Sequence, residues 1–223
     1  MTRRIERPGV RRGYDLWATS YDATQNPLVA LDRRHTLRAL GPRPGEWILD
    51  AGCGTGANLG AIEALGAHVV GIDLSLGMLR IAHRADAGRL LVQADLQVGF
   101  PVGPGLFDSV LCALVSEHLG DPGHFFAAAL EVLRPGGRLV FSAFHPELVA
   151  AGIEANFERD GIEYRLGAEP HTVQDFVGAI DGAGFRDLDV QEYRGDADLA
   201  AQIPRGKKYI GRPLLLLIAA SRP

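Results

Sequence analysis

The stretch Trp47–Gly56, WILDAGCGTG, constrains this chain most: a short apolar run breaks into glycines at alternate positions, and a helix-forming segment follows at once. An apolar run of this length, closed by glycine, reads as a strand buried on both faces, as in a parallel sheet. Gly52, Gly54 and Gly56 permit a turn that most side chains would forbid, and they let backbone come close to a ligand. A Gly-x-Gly pattern alone is weak. It gains weight when it leaves a strand and opens a helix, as it does here.

The same alternation continues downstream. Asn58 to Leu65 reads as a helix stopped by Gly66, and HVVGID (His68 to Asp73) as a second buried strand. Ser75 has the character of an N-cap for a helix running to about Arg84. Arg89 to Asp95 is a third strand, and the prolines and glycines of Gly99 to Gly105 make a loop. Phe107 to Val115 is a fourth strand. Asp121-Pro122, an N-cap and an N1 proline, opens a helix through Leu133 that Arg134-Pro135-Gly136-Gly137 ends. Arg138 to Phe144 is a fifth strand. A helix from about Val173 to Asp181 and strands near Phe185–Tyr193 and Pro213–Ala220 complete the pattern.

Strands alternating with helices predict an α/β fold: a Rossmann-like, seven-stranded, mostly parallel sheet with helices on both faces. The 223 residues are 47% apolar, enough for one sizeable core, and no repeat or low-complexity linker divides them. Residues 1–223 are therefore expected to form a single domain. Two segments fall outside the alternation: residues 1–40, read as an N-terminal helical cap, and residues 145–170, read as an insert over the substrate site. The insert carries Asp160-Gly161, a hairpin signal.

The net charge of −4 lacks the basic surplus of a nucleic-acid binder. Arg3, Arg4, Arg7, Arg11 and Arg12 could clamp an anionic substrate, but such a run is more often a solvated tail. The longest apolar run, Leu214 to Ala220, is far short of the ~20 residues a membrane helix needs, and no apolar segment follows the basic N-terminus. Cys53 and Cys112 read as reduced, buried thiols, and no metal-ligand spacing is present. The expectation is a cytoplasmic protein without membrane or nucleic-acid partners and without a metal, monomeric or homodimeric.

Which ligand suits the glycine loop follows from the acids around it. A dinucleotide fold spaces its glycines G-x-G-x-x-G and aims a helix N-terminus at pyrophosphate. Here the spacing is G-x-G-x-G and Asp50 sits just before it, where it would repel phosphate and favour a cationic group. No G-x-x-x-x-G-K-[ST] triphosphate loop occurs. Asp73 ends the second strand, placed to accept ribose hydroxyls, and Asp95 ends the third, placed to accept an adenine amino group. S-adenosylmethionine, with an ammonium, a sulfonium and an adenosine, matches this set.

The chain resembles the class I S-adenosylmethionine-dependent methyltransferases, and most the small-molecule branch that includes ubiquinone- and menaquinone-biosynthesis methyltransferases. The matching residues are Asp50–Gly56, Gly71–Ser75, Gln93–Leu96, Phe107–Val110, Ser116–Leu119 and Leu133–Gly137, with Tyr14-Asp15, Trp17-Ala18 and Tyr21-Asp22 upstream. The match runs from about residue 14 to 144 and more loosely to the end. The resemblance implies that Asp50, Gly52, Cys53, Gly54 and Gly56 hold the methionine part of the cofactor, and that Asp73 takes the ribose with Leu74 and Met78 nearby. It implies further that Asp95 and Leu96 take the adenine, that Ala113 and Leu114 lie beside the methionine moiety, and that Tyr21 covers the sulfonium end. It also implies an antiparallel last strand, with a longer than usual loop, Gly195 to Arg212, before it.

A hydroxyl acceptor would call for a general base. His145, directly after the fifth strand, is the first candidate and His118 the next; His171 and Glu163 of the insert region are weaker, while Tyr14 and Tyr21 are placed to orient an acceptor. The expected activity is in-line methyl transfer to a small molecule through a phenol or hydroxyl, an amine or an activated carbon. Three rivals are a non-methylating reaction such as a cyclisation on the same cofactor fold, a non-catalytic binding module and a nicotinamide-dependent oxidoreductase. The intact loop and acids oppose the second, and the glycine spacing and Asp50 the third. No [DNS]-P-P-[FYW] tetrapeptide of amino-methylating DNA enzymes is present.

Overall fold

The computed structural model describes residues 4–23 and 25–223, so Arg3 of the arginine cluster lies outside the described residues. In chain order the elements are β1 (Arg4–Glu6), α1 (Val10–Trp17), α2 (Pro27–Leu40), β2 (Trp47–Ala51), α3 (Ala57–Ala64), β3 (His68–Asp73), α4 (Leu76–Ala85), β4 (Leu90–Gln93), β5 (Phe107–Ala113), α5 (Pro122–Val132) and β6 (Leu133–Phe144). Then follow α6 (Pro146–Ala150), β7 (Asn156–Arg159), β8 (Ile162–Arg165), α7 (Val173–Ala183), β9 (Arg186–Arg194), α8 (Ala197–Gln202) and β10 (Pro213–Ser221). Short 3₁₀ turns occupy Ser116–His118 and Pro204–Tyr209.

Local chemistry sets the helix starts. Ser75 accepts from Met78 N (3.1 Å) and Asp121 from His124 N (3.0 Å), the latter with Pro122 behind it. Asn26 caps α2 through Leu28 N, and a reciprocal Thr172–Asp175 capping box opens α7. Each cap satisfies a backbone donor that the first helical turn leaves unpaired.

The main sheet has seven strands in the order β4-β3-β2-β5-β6-β10-β9. The first five run parallel, and β10 is antiparallel to both of its neighbours. Its inner strands β2, β5, β6 and β10 are buried on both faces, so alternate residues feed two cores, while the edge strands β4 and β9 are largely exposed. Ile48 and Val140 point into a layer with Leu40, Leu59 and Ile62, whereas Leu49 and Phe141 join Phe125, Phe126, Phe176 and Phe185 on the other side. Phe141 has no exposed surface and meets the Phe126 and Phe176 rings at 5.1 Å each. Phe141→Ala is expected to cost about 3–5 kcal/mol of folding stability, read as a lower urea midpoint at unchanged slope.

One boundary differs from the sequence reading. Helix α5 ends at Val132, and Arg134–Gly137 is drawn into the start of β6 instead of forming a plain turn. Leu133 pairs with Phe107, and the C-terminal segment closes on the same stretch: Gly136 N donates to Arg222 O (3.0 Å) and Arg222 N to Gly137 O (2.7 Å). These partners come from distant sequence, so local propensity cannot see them.

Residues 145–170 contain a hairpin whose tip is Asp160-Gly161, both with positive φ (53° and 74°), as a two-residue turn of this kind requires. β1 adds to it in parallel, making a small three-stranded sheet, so residues 1–40 contribute a strand as well as helices. Trp17 stacks on Phe157, and Phe157 on Tyr164, which fastens α1 to the hairpin. Asp15 fastens α1 to the main body, accepting from Ser75 Oγ (2.7 Å) and Gly77 N (2.8 Å). Strand order reverses between β2 and β5, which is where an open α/β sheet binds its ligands.

Candidate active site

Two adjoining hollows lie at that reversal. The first is an open cleft of about 1070 Å³ along the carboxyl ends of β2, β3 and β5. Its floor includes Gly52, Cys53 and Gly54. Asp73, Leu74 and Met78 stand on one side with Asp95 and Leu96, Ala113, Leu114 and His118 on the other, and Tyr14 and Tyr21 reach over it from the N-terminal segment. Of the cofactor set expected from the sequence, only Asp50 and Gly56 do not line this cleft.

The loop turns on left-handed glycines. Gly52 has φ +87°, and a Cβ there would come within 2.2 Å of Val115 Cγ2. Gly54 has φ +54° and nothing within 4 Å of a built Cβ, which leaves its backbone bare to the cleft. Gly56 serves packing: a Cβ would meet Ala82 at 3.0 Å, so the glycine lets α3 start against α4. At the tip of β5, Leu114 also has positive φ (56°), uncommon for a non-glycine residue.

Asp73 accepts from Gly54 N through Oδ2 and from Ser75 N through Oδ1, both at 2.8 Å. Burial raises its pKa, and these two backbone donors hold it down. A carboxylate has about four acceptor sites. Two remain, and a vicinal diol is a suitable pair of donors. Asp95 accepts from Gln97 N (3.0 Å) and keeps its second oxygen free of a side-chain partner.

Asp50 is wholly buried at the end of β2, and neither carboxylate oxygen has a hydrogen-bond partner. Burial, then the nearby Asp73 and Asp32, push its pKa up to about 8. An orphaned, buried acid beside a cleft is a site for positive charge. Asp32 on α2, to which the sequence reading gave no role, does line the cleft; its Oδ1 accepts from Thr36 Oγ1 (2.5 Å) and Ser142 Oγ (2.6 Å). The residues present thus fit an adenosyl cofactor with a cationic amino-acid end.

The second hollow opens on the far side of Tyr14, Tyr21, Val29 and Leu114, which line both. Its walls are mixed: Trp17, Leu28, Phe144, Ile153 and Leu214 alternate with polar groups such as Gln25, Asn26 and Asn156. Glu117 lines it, is 5% exposed, and has an unpartnered Oε2. Burial pushes the Glu117 pKa up to about 7. His118, next in the chain, bonds through Nε2 to Tyr14 Oη (3.0 Å), and burial lowers its pKa to about 4. Tyr14 is raised well above the ordinary phenol value, first by burial and then by Glu117, and Tyr21 is raised for the same two reasons. Near neutral pH, His118 is therefore uncharged, both phenols keep their protons, and Glu117 is the group that titrates.

His145, the first candidate for a base, is placed elsewhere. It is 2% exposed, caps α6 by accepting from Glu147 N at Nδ1 (3.3 Å), and meets Glu192 Oε2 through Nε2 (3.2 Å). It lines neither hollow, because the proline after it opens a helix and turns the ring into the N-cap position. His171 bonds to Leu119 O (2.6 Å), also as a structural contact. The residue missed was Glu117. It lies within the matched stretch Ser116–Leu119, but an acid in a short turn after a strand carries no sequence sign of burial.

A parallel sheet with an inserted antiparallel strand, a glycine loop leaving its central strand and acids at successive strand tips defines a Rossmann-like, class I methyltransferase architecture. A family model described as "Methyltransferase domain" matches residues 49–141. A ubiquinone biosynthesis O-methyltransferase of Ralstonia nicotianae is 32% identical over 167 residues, which cover 72% of this chain and 67% of that protein. A demethylmenaquinone methyltransferase of Clavibacter sepedonicus is 37% identical over 147 residues, 62% of this chain and 60% of that protein, so the chain spans about 60% of its length. An S-adenosylmethionine-dependent methyltransferase from Mesorhizobium loti superposes with a TM-score of 0.71 at 27% identity, over 87% of this chain and all of that one. The chain belongs to the S-adenosylmethionine-dependent methyltransferases.

Proposed function

We propose that this chain moves a methyl group from S-adenosylmethionine in the first hollow to a hydroxyl of a small aromatic acceptor in the second. The observation that carries this reading is the shared wall: Tyr14, Tyr21 and Leu114 border both hollows, with Glu117, whose Oε2 has no hydrogen-bond partner, on the acceptor side. When bound, the cofactor supplies a methyl group already activated on a sulfonium. The chain's own work is then to align, to exclude water and to take one proton.

Asp73 and Gly54 hold the ribose side, Asp95 and Leu96 the base, and Asp50 with Asp32 supply negative charge for the amino-acid end. Tyr14 and Tyr21, fixed by the Asp15 bonds and the Trp17–Phe157 stack, close the cleft from above. Glu117 Oε2 accepts the hydroxyl proton of the acceptor, and the His118–Tyr14 pair positions that hydroxyl. Residues 1–40 and 145–170 act as the cap of one domain.

The test is product analysis. The protein is incubated with S-adenosylmethionine and a panel of catechols and quinols, and S-adenosylhomocysteine is quantified with any product. Methylated product and S-adenosylhomocysteine in equal amounts are expected. Turnover of an acceptor without S-adenosylhomocysteine would point to a cyclisation or similar reaction and end the reading. His145→Asn, which keeps a capping side chain, is expected to change kcat by less than about twofold while lowering stability by about 1 kcal/mol, measured by steady-state assay and thermal unfolding.

A further inference from the structure

The outer end of the second hollow carries two cations. Arg205 and Lys208 line it from the 3₁₀ turn Pro204–Tyr209. Three residues apart in a 3₁₀ turn, they stand on one face, one above the other. Neither forms an ion pair with a described carboxylate. Lys208 Nζ lies over the Tyr209 ring, 4.8 Å from its centroid.

The other acid of this hollow is already neutralised. Glu154 accepts from Arg7 through both oxygens (2.8 and 2.9 Å) and from Gly167 N (2.8 Å). That leaves a polarised chamber: the buried Glu117 at one end, walls of aromatic, aliphatic and amide side chains, and two exposed cations without an acidic partner. Both cations are exposed and free to pair with an anionic group on a molecule held in the chamber.

Resting on the methyl-transfer reading above, we infer that the acceptor is an aryl acid, whose anionic group pairs with Arg205 and Lys208 while its ring lies along Trp17, Phe144 and Tyr209 and its methyl-accepting group meets Glu117. Both a carboxylate and a phosphate monoester present this chemistry. An Arg fork and a Lys point charge serve either one.

The test is calorimetry with benzoate, phenylacetate and phenyl phosphate as anionic probes, and benzamide and benzyl alcohol as neutral ones, on protein saturated with S-adenosylhomocysteine. The acids should bind about tenfold more tightly than the neutral probes, and the double variant R205Q/K208Q should lose that preference. Both side chains are exposed, so the variant should fold and keep its S-adenosylhomocysteine affinity. Tighter binding of the carboxylates or of phenyl phosphate names the anion, and either result supports the inference. Equal affinity for acids and neutral probes, no saturable binding of any acid, or an unchanged preference in R205Q/K208Q would overturn it. Failure of the first titration, with S-adenosylhomocysteine itself, counts against the methyltransferase reading instead, and the probes are then compared on the protein without it.

Discussion

Glu117→Gln should lower kcat by about 10²–10⁴-fold, the range for removing a general base, while raising thermal stability at pH 8. The two effects have opposite signs for one reason. Burial lifts the Glu117 pKa to about 7 from the ordinary carboxylate value of 4.5. The folded protein therefore holds this proton more tightly than the unfolded chain. Stability from this group is fully present below about pH 4.5 and is lost as pH rises through about 7. Glutamine does not ionise, so at pH 8 it spares the fold a buried charge, and at pH 4 it changes little. Catalysis runs the other way, because only the ionised carboxylate accepts a proton. In the wild type saturated with S-adenosylmethionine, kcat/KM for the acceptor should climb through about pH 7 and level off above it. In Glu117→Gln the residual rate should be flat across that window. His118, held to about 4, adds no inflection there. A variant that loses activity and stability together, or keeps the inflection, would remove Glu117 from the mechanism.

The sheet was legible because its signals are local and periodic. WILDAG and HVVGID lie where a parallel sheet buries both faces, and Ser75 and Asp121 cap their helices through donors three residues away. That Gly52, Gly54 and the acids Asp73 and Asp95 line one cleft was legible for the same reason: they sit at strand tips whose order the alternation dictates. What failed depends on contacts between distant segments. His145 looked exposed to the rim because it follows β6, yet it packs beneath Glu192 of β9, 47 residues on. Glu117 was given no role, yet it is buried at the wall of a hollow that Tyr14, Trp17 and Tyr21 of the N-terminal segment also line. Asp32, mid-helix in α2, meets Ser142 across 110 residues. Arg205 and Lys208 lie in the long loop before β10, where no periodicity assigns a direction to any side chain.

Asp73→Ala is expected to weaken S-adenosylhomocysteine binding by about 10²–10⁴-fold, because charge-assisted hydrogen bonds are worth about 1.5–3 kcal/mol each and a diol forms two. The loss has a second source. Asp73 Oδ2 also anchors Gly54 N, so removing the carboxylate frees the segment of the loop that faces the cleft. Asp73→Asn keeps one acceptor oxygen and should lie between, so the ordering of the three proteins by calorimetry separates ligand contact from loop support. Asp50 supplies an independent readout of the same cleft. With a pKa of about 8 it is mostly protonated at pH 7 in the free protein, and a cationic amino-acid group brought close to it favours the ionised form. Binding should then release a fraction of a proton at pH 7, visible as a buffer-dependent enthalpy, and the affinity should rise as pH is taken from 7 towards 9. Asp50→Asn has no proton to release, so its binding enthalpy should not depend on the buffer's ionisation heat. If that dependence survives in Asp50→Asn, the proton comes from another group. The buried acid under the glycine loop would then have a packing role, and Asp32 would be the carboxylate that the amino-acid end meets.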